Sequence, residues 1–190
     1  MFTMIRSAIM CLLIMAIITG LAYPLFITVI GAAVFEHKAQ GSLIVENGKV
    51  TGSELIGQSF EGEKYFWPRP SATSSVTYNS AASGGSNFGP SNPKFVEAVK
   101  ERIEKLKGAN TGNQPIPIDL VTASGSGLDP DIRPAAAQYQ VSRVAKARGM
   151  SEKEVGELVT KFTERRQWGI FGEKRVNVLR LNLELDKLTK

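Results

Sequence analysis

Ser7-Ala8-Ile9-Met10-Cys11-Leu12-Leu13-Ile14-Met15-Ala16-Ile17-Ile18-Thr19-Gly20-Leu21-Ala22-Tyr23-Pro24-Leu25-Phe26-Ile27-Thr28-Val29-Ile30 opens a run, residues 7–35, of 29 positions without a charged side chain. About 20 apolar residues in a helix cross a hydrocarbon core roughly 30 Å thick. Ala8 to Ile18 is apolar all round, as a lipid-facing helix requires. Pro24 removes a backbone donor, so a disruption is expected near Gly20, with Thr19 as a candidate partner for the freed carbonyl. A cleaved signal peptide is the competing reading. Arg6 would be its n-region, Ile9–Ile18 its h-region and Gly20-Leu21-Ala22 its cleavage site. The apolar run goes on well past that site, which favours a retained anchor. Cys11 has no lipidation sequence before it and reads as a buried apolar residue.

Outward from this run the composition changes. Of the 190 residues, all 18 acids and all but one of the 23 basic residues lie after position 35, so the net charge of +5 belongs almost wholly to the chain beyond the helix. The expected organisation is a cytoplasmic tail over 1–6, a transmembrane helix over 7–35 and one soluble extracytoplasmic domain over 36–190. The N-in orientation rests on a short tail with one Arg ahead of a long domain, because long domains translocate regardless of charge. A single cysteine excludes an internal disulfide framework and a Cys-rich zinc site. No basic stripe with interleaved aromatics points to nucleic acid.

In the domain, Ser42–Val50 reads as a hairpin turning at Asn47-Gly48. Residues 64–93 are turn-rich. A helix starts at Pro93 behind an Asn92 cap, carries Val96, Val99, Ile103 and Leu106 on one face, and stops at Gly108. Ile118–Thr122 reads as a buried strand, succeeded by the irregular Ala123–Ile132. Pro134 opens a helix closed by Gly149, and Ser151-Glu152-Lys153-Glu154 is a capping box for another. Trp168–Gly172 is a loop or turn. Leu179–Leu185 alternates like a strand, yet Val178, Leu181, Leu185 and Leu188 fit a helix capped by Asn177, which is preferred. The mixture is α+β: one membrane helix and then a single mixed domain.

The search for chemistry returns mainly absences. No phosphate-loop or dinucleotide fingerprint occurs, nor the Asp-Lys-Thr-Gly-Thr motif by which P-type pumps form a phosphoenzyme. Gly84-Gly85 and Gly125-Ser126-Gly127 read first as turn glycines, Asp129 as a turn or cap residue beside Asp131, and His37 as an interfacial side chain. No catalytic set and no metal site are expected.

Against that background, a set of short segments carries a resemblance. They are Tyr23-Pro24, Gly57-Gln58-Ser59-Phe60, Arg69-Pro70-Ser71-Ala72, and Ala82-Ser83-Gly84-Gly85-Ser86-Asn87 with Ser91-Asn92-Pro93. Next come Leu120-Val121-Thr122-Ala123-Ser124-Gly125-Ser126-Gly127-Leu128-Asp129-Pro130, and then Gln140 with Arg143-Val144-Ala145-Lys146-Ala147-Arg148. Val176-Asn177-Val178, Leu181-Asn182-Leu183 and Leu185-Asp186 complete the set. In this order and over nearly the whole chain, the sequence resembles the C subunit of the Kdp-type, ATP-driven potassium transporter.

The resemblance implies a non-enzymatic, single-pass subunit of a bacterial or archaeal inner-membrane complex. Its partners would be a channel-like A subunit, an ATP-hydrolysing P-type B subunit and a small F subunit. ATP and magnesium would reside on the B subunit, and this chain would need no cofactor of its own. Two roles are implied: assembly or stabilisation of the complex, and a catalytic chaperone function that raises ATP affinity. The second role implies nucleotide contact at Gln140; a phosphate there would also want a cationic donor, and Arg143, one turn along the same expected helix, is placed to supply it. An extracytoplasmic domain would instead put Gln140 across the membrane from cytoplasmic ATP and leave it a structural hydrogen bond. Arg69, Ser83, Gly84, Gly85, Ser86, Asn87, Ser124, Gly125, Ser126, Gly127 and Asp129 are the expected partner-facing loop residues.

Overall fold

A computed structural model describes residues 1–110 and 114–188, which divide into two compact units, Met1–Leu43 and Ile44–Lys190. The first is helical. α1 (Phe2–Ile17) passes through a π-helical turn at Ile18–Ala22 into α2 (Tyr23–Val34). Together they form a helix of 33 residues, Phe2–Val34, long and apolar enough to cross a membrane. The disruption expected near Gly20 takes the form of that π turn, where Pro24 can donate no bond to the preceding turn. The Thr19 hydroxyl donates to Met15 O at 2.7 Å, and Thr28 to Pro24 O at 2.8 Å. Phe35 leaves helical geometry, and α3 (Glu36–Ala39) is a single turn.

The hairpin forms as expected between β1 (Leu43–Glu46) and β2 (Lys49–Ser53). Asn47 and Gly48, at φ 51° and 75°, give the left-handed pair that a tight two-residue turn needs. Residues 54–92 form loops without an α-helix. Then α4 (Pro93–Ala109) begins with Asn92 Oδ1 accepting from Lys94 N. It runs one residue past Gly108 because Asn110 closes it, returning its backbone N–H and its Nδ2 to Leu106 O.

The expected strand at Ile118–Thr122 is absent. The segment is a 3-10 turn, Ile118–Leu120, with Asp119 and Leu120 buried and Ile118 exposed. The carbonyl of Ile118 accepts from Val121 N, Thr122 N and the Thr122 hydroxyl. Those local bonds occupy the group that a neighbouring strand would have needed.

A small antiparallel sheet runs in the order β3 (Asp131–Ile132), β5 (Arg175–Asn177), β4 (Thr163–Glu164). Ile132 and Thr163 both register on Val176. Against it packs α5 (Pro134–Arg148), and α6 (Glu152–Lys161) packs along α5. Gly149 closes α5 at φ 66°, and the capping box of α6 is complete, Ser151 Oγ accepting from Glu154 N. The ambiguous C-terminal segment is helix α7 (Val178–Leu188), and Asn177 Oδ1 accepts from Arg180 N as its cap. Phe66, Ile132, Ala137, Val144, Val155, Val176, Leu181 and Leu185 form the core. The α+β reading holds.

Candidate functional site

The polar residues singled out in the sequence fall into two neighbouring structures, joined by the extended segment 65–70. The first is a clamp. In an extended chain successive residues direct their N–H and C=O to opposite sides. Phe66 faces α7, where Asn182 Oδ1 accepts from its N–H at 2.8 Å and Nδ2 donates to its C=O at 3.0 Å. Trp67 faces α5, where Gln140 Oε1 accepts from its N–H at 2.8 Å and Nε2 donates to its C=O at 3.1 Å. Two carboxamides thus take the place of two neighbouring strands.

Gln140 has no solvent exposure. Its remaining capacity is filled by a bond from Nε2 to Ala136 O at 3.2 Å and one from Arg143 Nη2 to Oε1 at 2.6 Å. All four bonds of the amide are therefore made within the chain. Arg143 lies one turn further along α5. It donates to Tyr65 O at 3.0 Å and to Glu63 O, and its guanidinium stacks 4.2 Å from the Trp67 ring centroid. Burial pushes this guanidinium down to about 10. Arg148 extends the grip, donating to Lys64 O at 2.6 Å and Asp186 at 2.8 Å. Gln140 and Arg143 meet each other with both side chains turned inward. A nucleotide reaching Gln140 would first have to displace Trp67.

The second structure is the crossing of loops 69–87 and 122–130. Arg69 pairs with Asp129 at 2.9 Å, and Asp129 Oδ1 also accepts from Asp131 N, the turn role read for it in the sequence. Ser71 Oγ donates to Gly127 O at 2.7 Å, Gly84 N to Ser126 O at 2.9 Å, and Ser83 Oγ to Ser126 O at 3.0 Å. Ser124 N donates to Pro70 O at 3.2 Å. Glycine is required where the loops touch. A Cβ on Gly85 would sit 2.9 Å from Gly125 O; one on Gly127, at φ 69°, would sit 2.8 Å from Gly84 O. Ser86 and Asn87 lie exposed beyond the crossing.

Tyr78 locks the base of this crossing, its hydroxyl donating to Arg69 O. Burial pushes that phenol up, and the Asp129 carboxylate adds to the rise. Asp131, beside Asp129, is pushed up to about 6 by burial. Arg175 at 3.1 Å opposes the shift, and Asp129 and Glu164 reinforce it. An open cavity of about 250 Å³ lies where the two structures meet, with Trp67, Arg69, Tyr78, Arg102 and Lys105 in its wall. Among the described residues no group of three His, Cys, Asp or Glu side chains is placed to hold a metal ion.

Sequence reading missed Asn182 as the counterpart of Gln140, and Asp119, whose carboxylate accepts from Arg133 N at the start of α5. The signal for Asn182 was present: it is a polar residue beside Leu181 on the stripe that Val178 and Leu185 place in the core.

Comparison with known proteins covers this whole arrangement. A family model described as KdpC, the K+-transporting ATPase c chain, matches residues 5–187. The potassium-transporting ATPase KdpC subunit of Polynucleobacter asymbioticus is 57% identical over 187 residues, 98% of this chain and 99% of that protein. Those of Burkholderia orbicola and Burkholderia mallei are 57% and 55% identical over 187 residues, 98% of this chain and 97% of each relative.

Proposed function

The chain belongs to the KdpC family, the c chain of K+-transporting ATPases, and from that premise we propose that it is a non-catalytic subunit which holds the potassium pump together from outside the cytoplasm. The helix Phe2–Val34 anchors it in the membrane with its N-terminus inside. The crossed loops, with Ser83, Ser86, Asn87, Gly125 and Ser126 at their rim, present a rigid surface to the channel-like A subunit. The ATP-hydrolysing B subunit and the small F subunit complete the complex, with ATP and magnesium on the B subunit.

Gln140 and Arg143 serve this role by fixing segment 63–67 to α5. Any rise in ATP affinity then passes through subunit contacts rather than through a nucleotide held at Gln140. The observation that carries this reading is the complete internal satisfaction of the Gln140 amide at zero exposure. A buried polar group with all its partners in place is costly to redirect.

The test is to express the tagged chain with the other pump subunits and purify it from detergent. Co-purification with the channel-like and ATP-hydrolysing subunits is expected, together with digestion of the domain by protease added to intact spheroplasts. A chain that purifies alone while the other subunits assemble without it would overturn the proposal. Protease protection would reverse the orientation.

A further inference from the structure

Residues 163–177 form a ribbon whose tip is unlike the rest of the domain surface. At its base β4 and β5 pair, and Glu164–Arg175 and Arg166–Glu173 ion pairs at 2.8 and 3.1 Å link the two sides. At its end Gln167 N donates to Phe171 O and Phe171 N to Gln167 O, with Trp168 and Gly169 at φ 51° and 78°. This closed turn holds Trp168, Ile170 and Phe171 out at 89%, 72% and 58% exposure. The two rings meet edge to face, 5.9 Å apart. Loop tips are ordinarily polar, and a fixed turn presenting three large apolar groups marks a contact surface.

We propose that this tip inserts into the interfacial layer of an anionic bilayer. The inference rests on the membrane-anchor reading of Phe2–Val34 and goes beyond it, since the helix alone requires no second contact. Trp settles at the headgroup level, its ring apolar and its indole N–H polar, while Phe and Ile side chains bury their apolar surface at the headgroup–acyl boundary. Immediately behind them Arg165 and Lys174 are exposed, one on each side of the ribbon, and neither makes an ion pair among the described residues. Their charge complements anionic headgroups once the tip is immersed. The tip is a convex turn of five residues, small beside the roughly 800 Å² per partner of a stable protein interface. A helix able to cross the membrane already tethers the domain to a bilayer.

The experiment uses the full chain reconstituted in vesicles of phosphatidylethanolamine and phosphatidylglycerol with brominated acyl chains. The chain has two tryptophans, so subtracting the Trp168→Phe spectrum isolates Trp168 from Trp67. Expected is a blue-shifted Trp168 emission, quenched about twofold by the brominated lipid. Replacing Arg165 and Lys174 by Glu restores the emission in the anionic vesicles. If the chain co-floats with vesicles while Trp168 stays unquenched and water-like, the insertion is wrong and the anchor stands. Shielding of Trp168 from aqueous acrylamide in the assembled pump without quenching by brominated lipid also overturns it, assigning the tip to a partner protein. Failure to co-float rejects both the anchor and the insertion.

Discussion

The side-chain amide of Gln140 pairs with both backbone groups of Trp67, accepting from its N–H at 2.8 Å and donating to its C=O at 3.1 Å. Asn182 does the same for Phe66 from the opposite side. A stretch of loop thereby acquires the bonding of a central strand, with no strand beside it among the described residues. The helices α5 and α7 are joined through it.

Asn182→Ala removes both partners of the Phe66 peptide groups, which are buried together with the Phe66 ring. Unsatisfied buried backbone groups and a small cavity together cost about 2–4 kcal/mol. A lower midpoint in urea or thermal unfolding, monitored by near-UV circular dichroism, checks this. Asn182→Asp should be no better, because a carboxylate cannot donate to Phe66 O.

Gln140→Ala reduces the amount of assembled pump, while the KM for ATP of the pump that does assemble stays the same. Purified complex titrated with ATP separates the two quantities. An increase in KM with normal assembly would restore direct nucleotide contact. Arg143→Lys should destabilise by about 2 kcal/mol although the charge is kept, since a lysine cannot span Glu63 O, Tyr65 O and Gln140 Oε1 while stacking on Trp67.

Gly127 and Gly84 lie in the same crossing but should respond to alanine very differently. Gly127→Ala places a Cβ 2.6 Å from Thr73 Cγ2 at a positive φ, whereas a Cβ on Gly84 meets nothing within 4 Å. The first should cost about 2 kcal/mol or more and the second less than about 0.5 kcal/mol. Hydrogen exchange at the Gly84 amide, which donates to Ser126 O, reads the loosening directly.

Asp131 sets a pH dependence. Its carboxyl is raised from 3.8 to about 6 in the folded chain, so between those values the folded state binds the proton more tightly than the unfolded one. Stability therefore falls as pH rises from about 4 to about 6, by on the order of 2 kcal/mol, given a side chain only 24% exposed. Asp131→Asn should flatten that slope, and carboxyl carbon shifts in NMR should give the midpoint near 6.

Much of this architecture was legible in the chain itself. An uncharged apolar run of this length has no stable place in water, so the apolar helix was implied by composition. Caps at Asn92 and Ser151, the left-handed stop at Gly149 and the Asn47-Gly48 turn are local devices, decided by residues within one turn of each other, and each formed where it was read. The strand expected at 118–122 failed for the converse reason. Its apolar character was real, as the buried Leu120 and Val121 show. Whether such a run extends or coils depends on whether another strand lies alongside, and among the described residues none does.

Local chemistry in the chain was enough to assign most of the helices, the segment that suits a membrane, and the loops that must be built from glycine and serine. The use to which Gln140 and Arg143 are put emerged only on folding. Both lie on a helix face that periodicity marks as buried, but a buried amide or guanidinium must find its partners in another part of the chain. For Gln140 and Arg143 those partners include peptide groups at Glu63, Tyr65 and Trp67, about 75 residues away in sequence. A backbone acceptor leaves no mark on the residue type that carries it, so no motif could have announced the clamp.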